Sequence, residues 1–316
     1  MTDLDRSRNV SPVELFGLPR VTSLADLAGH TRLSKGSLFR LLKAGPLAYR
    51  VFSIPKKSGG QRQIAQPGRA LKAVQGWILR HVLDNLRTSA ACKGFERGAS
   101  VADNADPHVG AKAILCLDIE DFFPSISIRR VTWVFRLAGY DPWTALTLAQ
   151  YCTIRGRLPQ GSPCSPKLAN LACFRLDRRL IGFCGRKGLV YTRYADDMTF
   201  SSSSPSRLAK SLPMIASIVR EEGFVLNEAK TRLRGPARCR KVTGLVLAHD
   251  FVGVGRVRLR SLRAELFSTL VQHSATTTPE RYRQLQGWLD YVHGVDQRRY
   301  QSLARYIGGL KRRFPA

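Results

Sequence analysis

The sequence predicts an α+β fold in which an antiparallel sheet packs with helices and a basic helical region closes the chain. Three observations point there. Short runs with a two-residue period alternate with longer runs of helical period. Their order does not favour a parallel, doubly wound sheet. Neither a G-x-G-x-x-G nor a G-x-x-x-x-G-K-[ST] phosphate loop occurs. The 316 residues suit two or three packed subdomains, and a hydrophobic content of 44% is enough for a core.

Taken in order, residues 12–44 read as helical, with a capping start at Val21-Thr22-Ser23-Leu24 and a second segment from Leu33 to Leu42. A small helical layer is the plain reading and a helix-turn-helix its rival. Tyr49 to Ile54 alternates as a strand, Pro55 to Gly60 is a turn, and Gln61 to Ile64 returns. Leu71 to Leu86 has helical periodicity, and Lys112 to Ile119 is an apolar strand ending in acid. Val131 to Cys152 is helical in two pieces broken near Gly139 and Pro142, and Lys167 to Arg186 reads as one helix. Val190 to Tyr194 and Met198 to Ser201 are strands around Ala195-Asp196-Asp197, followed by a helix from Arg207 to Glu222. Val242 to Leu247 and Phe251 to Val257 suggest a further hairpin, and from about Leu259 the tail is helical and rich in arginine.

The formal net charge of +28 repels itself in a compact chain, so a polyanionic partner is its simplest explanation. Nucleic acid leads; against a membrane, no segment approaches the ~18 apolar residues of a spanning helix. Met1 to Arg8 mixes both charges with no apolar run after it and does not read as a signal peptide. The seven cysteines are irregularly spaced with no C-x-x-C, which fits reduced thiols of a cytoplasmic protein without a zinc site.

The chemistry concentrates in carboxylates. A bare Asp-Asp pair is usually a solvated turn, but Asp196-Asp197 lies between two apolar strands, where both carboxylates can approach one point. Two such groups repel, and a divalent cation removes the conflict. Hard oxygen ligands suit magnesium, which keeps room for water and phosphate. Asp118 ends a second apolar strand, just before Phe122-Phe123-Pro124. If the strands are neighbours, Asp118, Asp196 and Asp197 form the three-carboxylate cluster that two-metal phosphoryl transfer requires.

Leu117-Asp118-Ile119-Glu120-Asp121-Phe122-Phe123-Pro124, then Leu158-Pro159-Gln160-Gly161-Ser162-Pro163, then Tyr194-Ala195-Asp196-Asp197 resembles, in order and spacing, the palm signature of reverse transcriptases. Phe52 to Arg62 resembles their fingers hairpin, Gly94 to Ser100 the next fingers motif, and Gly223 to Thr231 the segment after the catalytic hairpin. Asn104-Ala105-Asp106-Pro107-His108 resembles the Asn-Ala-x-x-His element of the retron type, and Val242-Thr243-Gly244 resembles its Val-Thr-Gly element. Together the resemblance spans roughly residues 20–310.

What the resemblance implies is a right-hand polymerase. Residues 1–48 would be an N-terminal helical segment and residues 49–115 the fingers, with part of 155–170. Residues 116–250 would be the palm with the catalytic hairpin, and residues 251–316 a basic helical thumb. Asp118, Asp196 and Asp197 would hold two magnesium ions, with manganese a possible substitute and the Ile119 carbonyl a further ligand. Phe123 matches the steric gate that selects deoxynucleotides, with Phe122 left to the core. Gln160 and Gly161 match the loop beneath the incoming dNTP, Lys57 and Arg62 the triphosphate contacts, and Lys230 the group that protonates pyrophosphate. Arg256, Arg258, Arg260, Arg263, Arg298, Arg299 and Arg305 are suited to track a duplex backbone, while Trp288, Tyr291, Tyr300 and Tyr306 read as packing residues. The implied partners are a cognate structured noncoding RNA, its cDNA and a separately encoded effector protein. Two other readings stay open: another bacterial reverse transcriptase class (group II intron-like, or defence-associated and protein-primed), and a non-catalytic RNA-binding scaffold, against which the intact aspartates argue.

Overall fold

The structure, a computed structural model, describes residues 12–56, 59–272 and 278–314. The chain divides into two compact units, each built from three stretches of sequence.

The first unit comprises Met1–Glu96, Ile119–Leu180 and Ala216–Asn227. Its leading helices are Leu24–Thr31, opened by a capping box in which Ser23 and Asp26 exchange hydrogen bonds, and Lys35–Ala44, capped by Ser34. Strands β1 (Tyr49–Pro55) and β2 (Gln61–Pro67) pair antiparallel, with Tyr49 opposite Pro67 and Pro55 opposite Gln61. Helix Arg69–His81 buries Leu71, Val74 and Ile78 and packs on helix Pro142–Cys152. That second helix begins at Pro142, where a missing N–H costs nothing, and Asp141 caps it through the Trp143 and Thr144 amides. Helix Ile128–Leu137 completes the predicted two-piece segment. The expected single helix over Lys167–Arg186 is instead two, Ser165–Ala172 and Phe174–Lys187, parted at Cys173.

The second unit comprises Arg97–Asp118, Ile181–Ile215 and Glu228–Ala316. Its sheet contains β3 (Ala113–Asp118), β4 (Val190–Tyr194), β5 (Asp197–Ser202) and β6 (Arg232–Arg234), all antiparallel in the order β4-β5-β3-β6. Strand β3 lies inside the sheet and is buried on both faces, which explains its nearly unbroken apolar run. A smaller sheet joins β7 (Lys241–Val242), β8 (Leu245–Leu247) and β9 (Val252–Gly253). The predicted strand over Phe251–Val257 is thus only two residues long, and a helix, Gly255–Phe267, starts earlier than expected. The carboxylate of Asp296, buried and distant in sequence, accepts from the Val254 amide at 3.1 Å and from the Arg299 amide at 3.1 Å, capping the last helix. Helices Pro279–Val295 and Gln297–Arg313 follow, and one core runs from Ile114 and Val242 through Leu259, Leu262 and Leu285 to Leu303. No helix among the described residues is long and apolar enough to cross a membrane.

Candidate active site

The register of the four-stranded sheet assembles the acidic residues. Asp118, the last residue of β3, lies directly opposite Asp197, the first of β5. Residues so opposed have Cα atoms about 4.5–5.5 Å apart. Tyr194 pairs with Asp197, so Ala195 and Asp196 are a two-residue hairpin loop. Ala195 takes φ 57°, a left-handed conformation that is costly without glycine and is held here by the surrounding pairing. Arg193, wholly buried, donates to the Ala195 carbonyl at 3.0 Å and fixes the loop from below.

Burial pushes the Asp197 carboxyl up to about 6; the charges of Asp196 and Asp118 add to the rise, and Lys230 opposes it. The residue is open on one side, so water tempers that crowding. Lys230 donates to both oxygens of the buried Asp118 carboxylate, at 3.0 and 2.9 Å, and its ammonium is pushed above its usual range by that hydrogen bond. The three carboxylates are hard oxygen donors under mutual repulsion and fit a hard divalent ion. Among the described residues no three acidic, histidine or cysteine side chains are already drawn around one point. In this structure the compensating charge at Asp118 is the Lys230 ammonium, a role distinct from the one its sequence position suggests.

Behind the acidic hairpin lies His108, completely buried. Its Nδ1 is 2.7 Å from Ser201 Oγ on β5, and its Nε2 is 2.8 Å from Thr192 Oγ1 on β4. Thr192 donates its own proton to the Asn104 carbonyl at 3.2 Å. The network therefore assigns the proton of the imidazole to Nε2, with Nδ1 accepting from Ser201. Val242-Thr243-Gly244 closes the β7–β8 hairpin. Val242 pairs with Leu245, and Thr243 and Gly244 both have positive φ, 46° and 87°, as a type I′ turn requires. Thr243 Oγ1 donates to the Val101 carbonyl at 3.3 Å, joining this turn to the short helix Val101–Ala105 that carries Asn104. A cavity of about 360 Å³ is lined by Val101, Cys116, Tyr194, Asp197, Thr199, Thr243 and Gly244. The helix that carries Asn104 and the Thr243-Gly244 turn thus meet in one place, and Val101, Thr243 and Gly244 line the cavity beside Asp197.

In the first unit, Phe122 is buried while Phe123 is partly open, its ring 6.2 Å from Phe95 and 5.5 Å from Phe122. Ile119 is buried and bridges Leu226. Arg62 is exposed on β2, and Lys57 lies outside the described residues. The Gln160 carbonyl accepts from the Ala65 amide of β2 at 2.8 Å. Gly161 has φ +122°, and a Cβ there would stand 3.0 Å from both the Ala65 oxygen and Ile64 Cγ2. Gly161→Ala is expected to cost about 1–3 kcal/mol through strain and clash. Urea unfolding of the variant measures this, and an unchanged midpoint would refute the close approach.

Of the arginines singled out in the helical tail, Arg256, Arg258 and Arg299 line one cavity of about 1310 Å³ together with Trp288 and Tyr291. The Arg258 guanidinium lies 3.5 Å over the Trp288 ring, which is 36% exposed. Tyr291, Tyr300 and Tyr306 pack partly buried against the core. Arg263 bonds Ser302 and stands 5.5 Å over Tyr306, and Arg298 stands 5.4 Å over Phe251. Arg260 and Arg305 are exposed. Sequence reading missed Arg193, Thr192 and Ser201. A charged residue inside an apolar strand was the available signal for the first; the other two carry none, since ordinary strand hydroxyls show no partner in the sequence.

Residues 54–247 match the family of reverse transcriptases (RNA-dependent DNA polymerases). The chain is 40% identical to the retron Ec86 reverse transcriptase of Escherichia coli over 95% of its own length and 92% of that protein. It is 36% identical to the retron Mx65 reverse transcriptase of Myxococcus xanthus over 92% of its own length and 72% of that one. Among solved structures, telomerase from Candida albicans in complex with a TWJ fragment of telomeric RNA aligns at a TM-score of 0.50 and 13% identity, over 82% of this chain and 56% of that one, a likeness of fold. With the mixed helical and antiparallel architecture and the opposed aspartates in place, the chain belongs to the reverse transcriptases, the RNA-directed DNA polymerases, and within them to the retron reverse transcriptases.

Proposed function

We propose that the protein copies a structured noncoding RNA of its own locus into single-stranded DNA that stays joined to that RNA at a 2′–5′ branch. We propose too that it does so in anti-phage defence beside a separately encoded effector. The observation that carries the catalytic part is Asp118 standing opposite Asp197 at the end of an antiparallel sheet. Asp118, Asp196 and Asp197, with the Ile119 carbonyl, would hold a pair of divalent ions, magnesium or its substitute manganese. Bound there, the ions would supply Lewis-acid activation of the primer hydroxyl and neutralise the triphosphate. With that charge in place Asp118 would not need Lys230 as its counter-ion, and the Lys230 ammonium would be available to give a proton to departing pyrophosphate. Phe123 excludes a 2′-hydroxyl, Gln160 and Gly161 underlie the incoming dNTP, and Lys57 and Arg62 contact its phosphates. In this reading residues 1–48 form an N-terminal segment, helical from Pro12 where it is described, 49–115 with part of 155–170 the fingers, 116–250 the palm, and 251–316 the thumb. The thumb arginines hold the duplex by its phosphates, as a basic helical face suits RNA, which is read by shape and backbone.

Sequencing the cDNA made by the purified enzyme–RNA complex, together with its 5′ junction, tests the proposal. A branched junction is expected, and a protein-linked 5′ end would overturn it. RNA binding should weaken with salt at a log–log slope of about −0.7 to −0.9 per phosphate neutralised. A flat response in filter binding would remove the phosphate-tracking role of the arginines. For the effector, protection by the enzyme–RNA complex alone, in cells without neighbouring genes, would end that part of the reading.

A further inference from the structure

We infer that Gln75 is a positioning residue for the nucleotide-binding loop at Gln160 and Gly161, acting through Ser162. Gln75 lies in helix Arg69–His81 and is completely buried. Its Nε2 donates to Tyr49 Oη at 2.9 Å and to the Tyr151 carbonyl at 2.8 Å, and its Oε1 accepts from Ser162 Oγ at 2.9 Å. Both amide protons and the amide oxygen are therefore used, each on a different element: the first residue of β1, the end of helix Pro142–Cys152, and the loop itself. Ser162 Oγ in turn accepts from the Cys164 amide at 3.3 Å, so the side chain that Gln75 holds also shapes the turn beyond it.

The same loop is held from its other side by β2, through the Gln160 carbonyl and the close approach of Gly161 to Ala65. Residues 160–162 are thus clamped between the fingers hairpin and a buried amide. A buried amide costs more than an apolar side chain of like volume unless all its bonds are made. A fully satisfied one fixes geometry, because any displacement of the loop leaves Oε1 and the Ser162 hydroxyl unpaired in a dry interior. The geometry matters where a loop must meet a nucleotide within a few tenths of an ångström. This inference rests on the reading of Gln160 and Gly161 as the surface beneath the incoming dNTP.

The test is single-nucleotide incorporation by the full chain bound to its RNA, with kcat and KM for the dNTP measured separately. Ser162→Ala, which removes only the loop arm and is the variant least able to disturb folding, is expected to raise KM for the dNTP about tenfold, equal to about 1.4 kcal/mol. Its kcat should stay within about twofold. Gln75→Leu, which also gives up the bonds to Tyr49 and the Tyr151 carbonyl, should raise KM in the same way, and the double variant should add little to KM, since both lose the one bond to the loop. Ser162→Thr, which keeps the hydroxyl, should restore KM. Lower thermal stability with an unchanged KM in Ser162→Ala would make the network merely structural and overturn the inference. Gln160→Ala separates the two readings. If it raises KM while Ser162→Ala does not, the Gln75 inference alone falls; if neither does, the nucleotide site is misplaced and both fall.

Discussion

Replacing any one of Asp118, Asp196 or Asp197 by asparagine is expected to lower DNA synthesis by about 10³-fold or more, roughly 4 kcal/mol on the barrier. Asparagine keeps the shape of the side chain and one acceptor oxygen, so only the charge is lost. In the proposed reading RNA is held by arginines elsewhere, so RNA binding should survive, which separates this outcome from unfolding. The variants should differ in stability. Asp197 is crowded by burial and by two neighbouring carboxylates, so Asp197→Asn should relieve repulsion and raise the unfolding midpoint in chelator by a degree or two, about 0.5 kcal/mol. Asp118→Asn instead deprives Lys230 of its counter-charge. Lys230 is half exposed, so the loss should stay below about 1 kcal/mol. Synthesis within tenfold of the parent enzyme in any of the three would remove that residue from the catalytic set.

The convergence of these aspartates was legible because each signal was local. One apolar strand ended in acid at Asp118, and Ala195-Asp196-Asp197 between two apolar runs marked the hairpin. Only the pairing of β3 with β5 had to be supposed, and the register supplies it. The failures share a different cause. Nothing in Ala172-Cys173-Phe174 is a helix breaker, so the division at Cys173 left no trace in the sequence. Val252, Val254 and Val257 looked like a strand, but the buried Asp296 carboxylate takes the Val254 amide and the chain turns into a helix at Gly255. A partner more than forty residues away decides that boundary, and propensity does not see it. The ion pair of Lys230 with Asp118 was equally hidden, since the two residues stand 112 positions apart.

His108 provides the second large effect, and it should appear as acid sensitivity of the fold. Burial lowers its imidazole to about 4, from an ordinary value of 6.5, and the bonds to Ser201 and Thr192 use the neutral ring. Between those two values the unfolded chain binds a proton that the folded chain refuses. Stability from this group is thus complete above about pH 6.5 and is lost as pH falls toward 4. The full loss is on the order of 3 kcal/mol. Carboxylates elsewhere also respond to acid, so the measurement is a difference: urea unfolding of the parent protein and of His108→Gln from pH 7.5 to 4.5. At neutral pH the variant should be the weaker, because glutamine cannot bridge both hydroxyls and a buried unpaired hydroxyl costs about 1–3 kcal/mol. Toward pH 4.5 the gap should close, since only the parent meets the cost of a buried imidazolium. Parallel curves would mean that the ring carries its proton in the fold, and with it the neutral bridge joining β4 to β5 behind Asp196 and Asp197 would be lost.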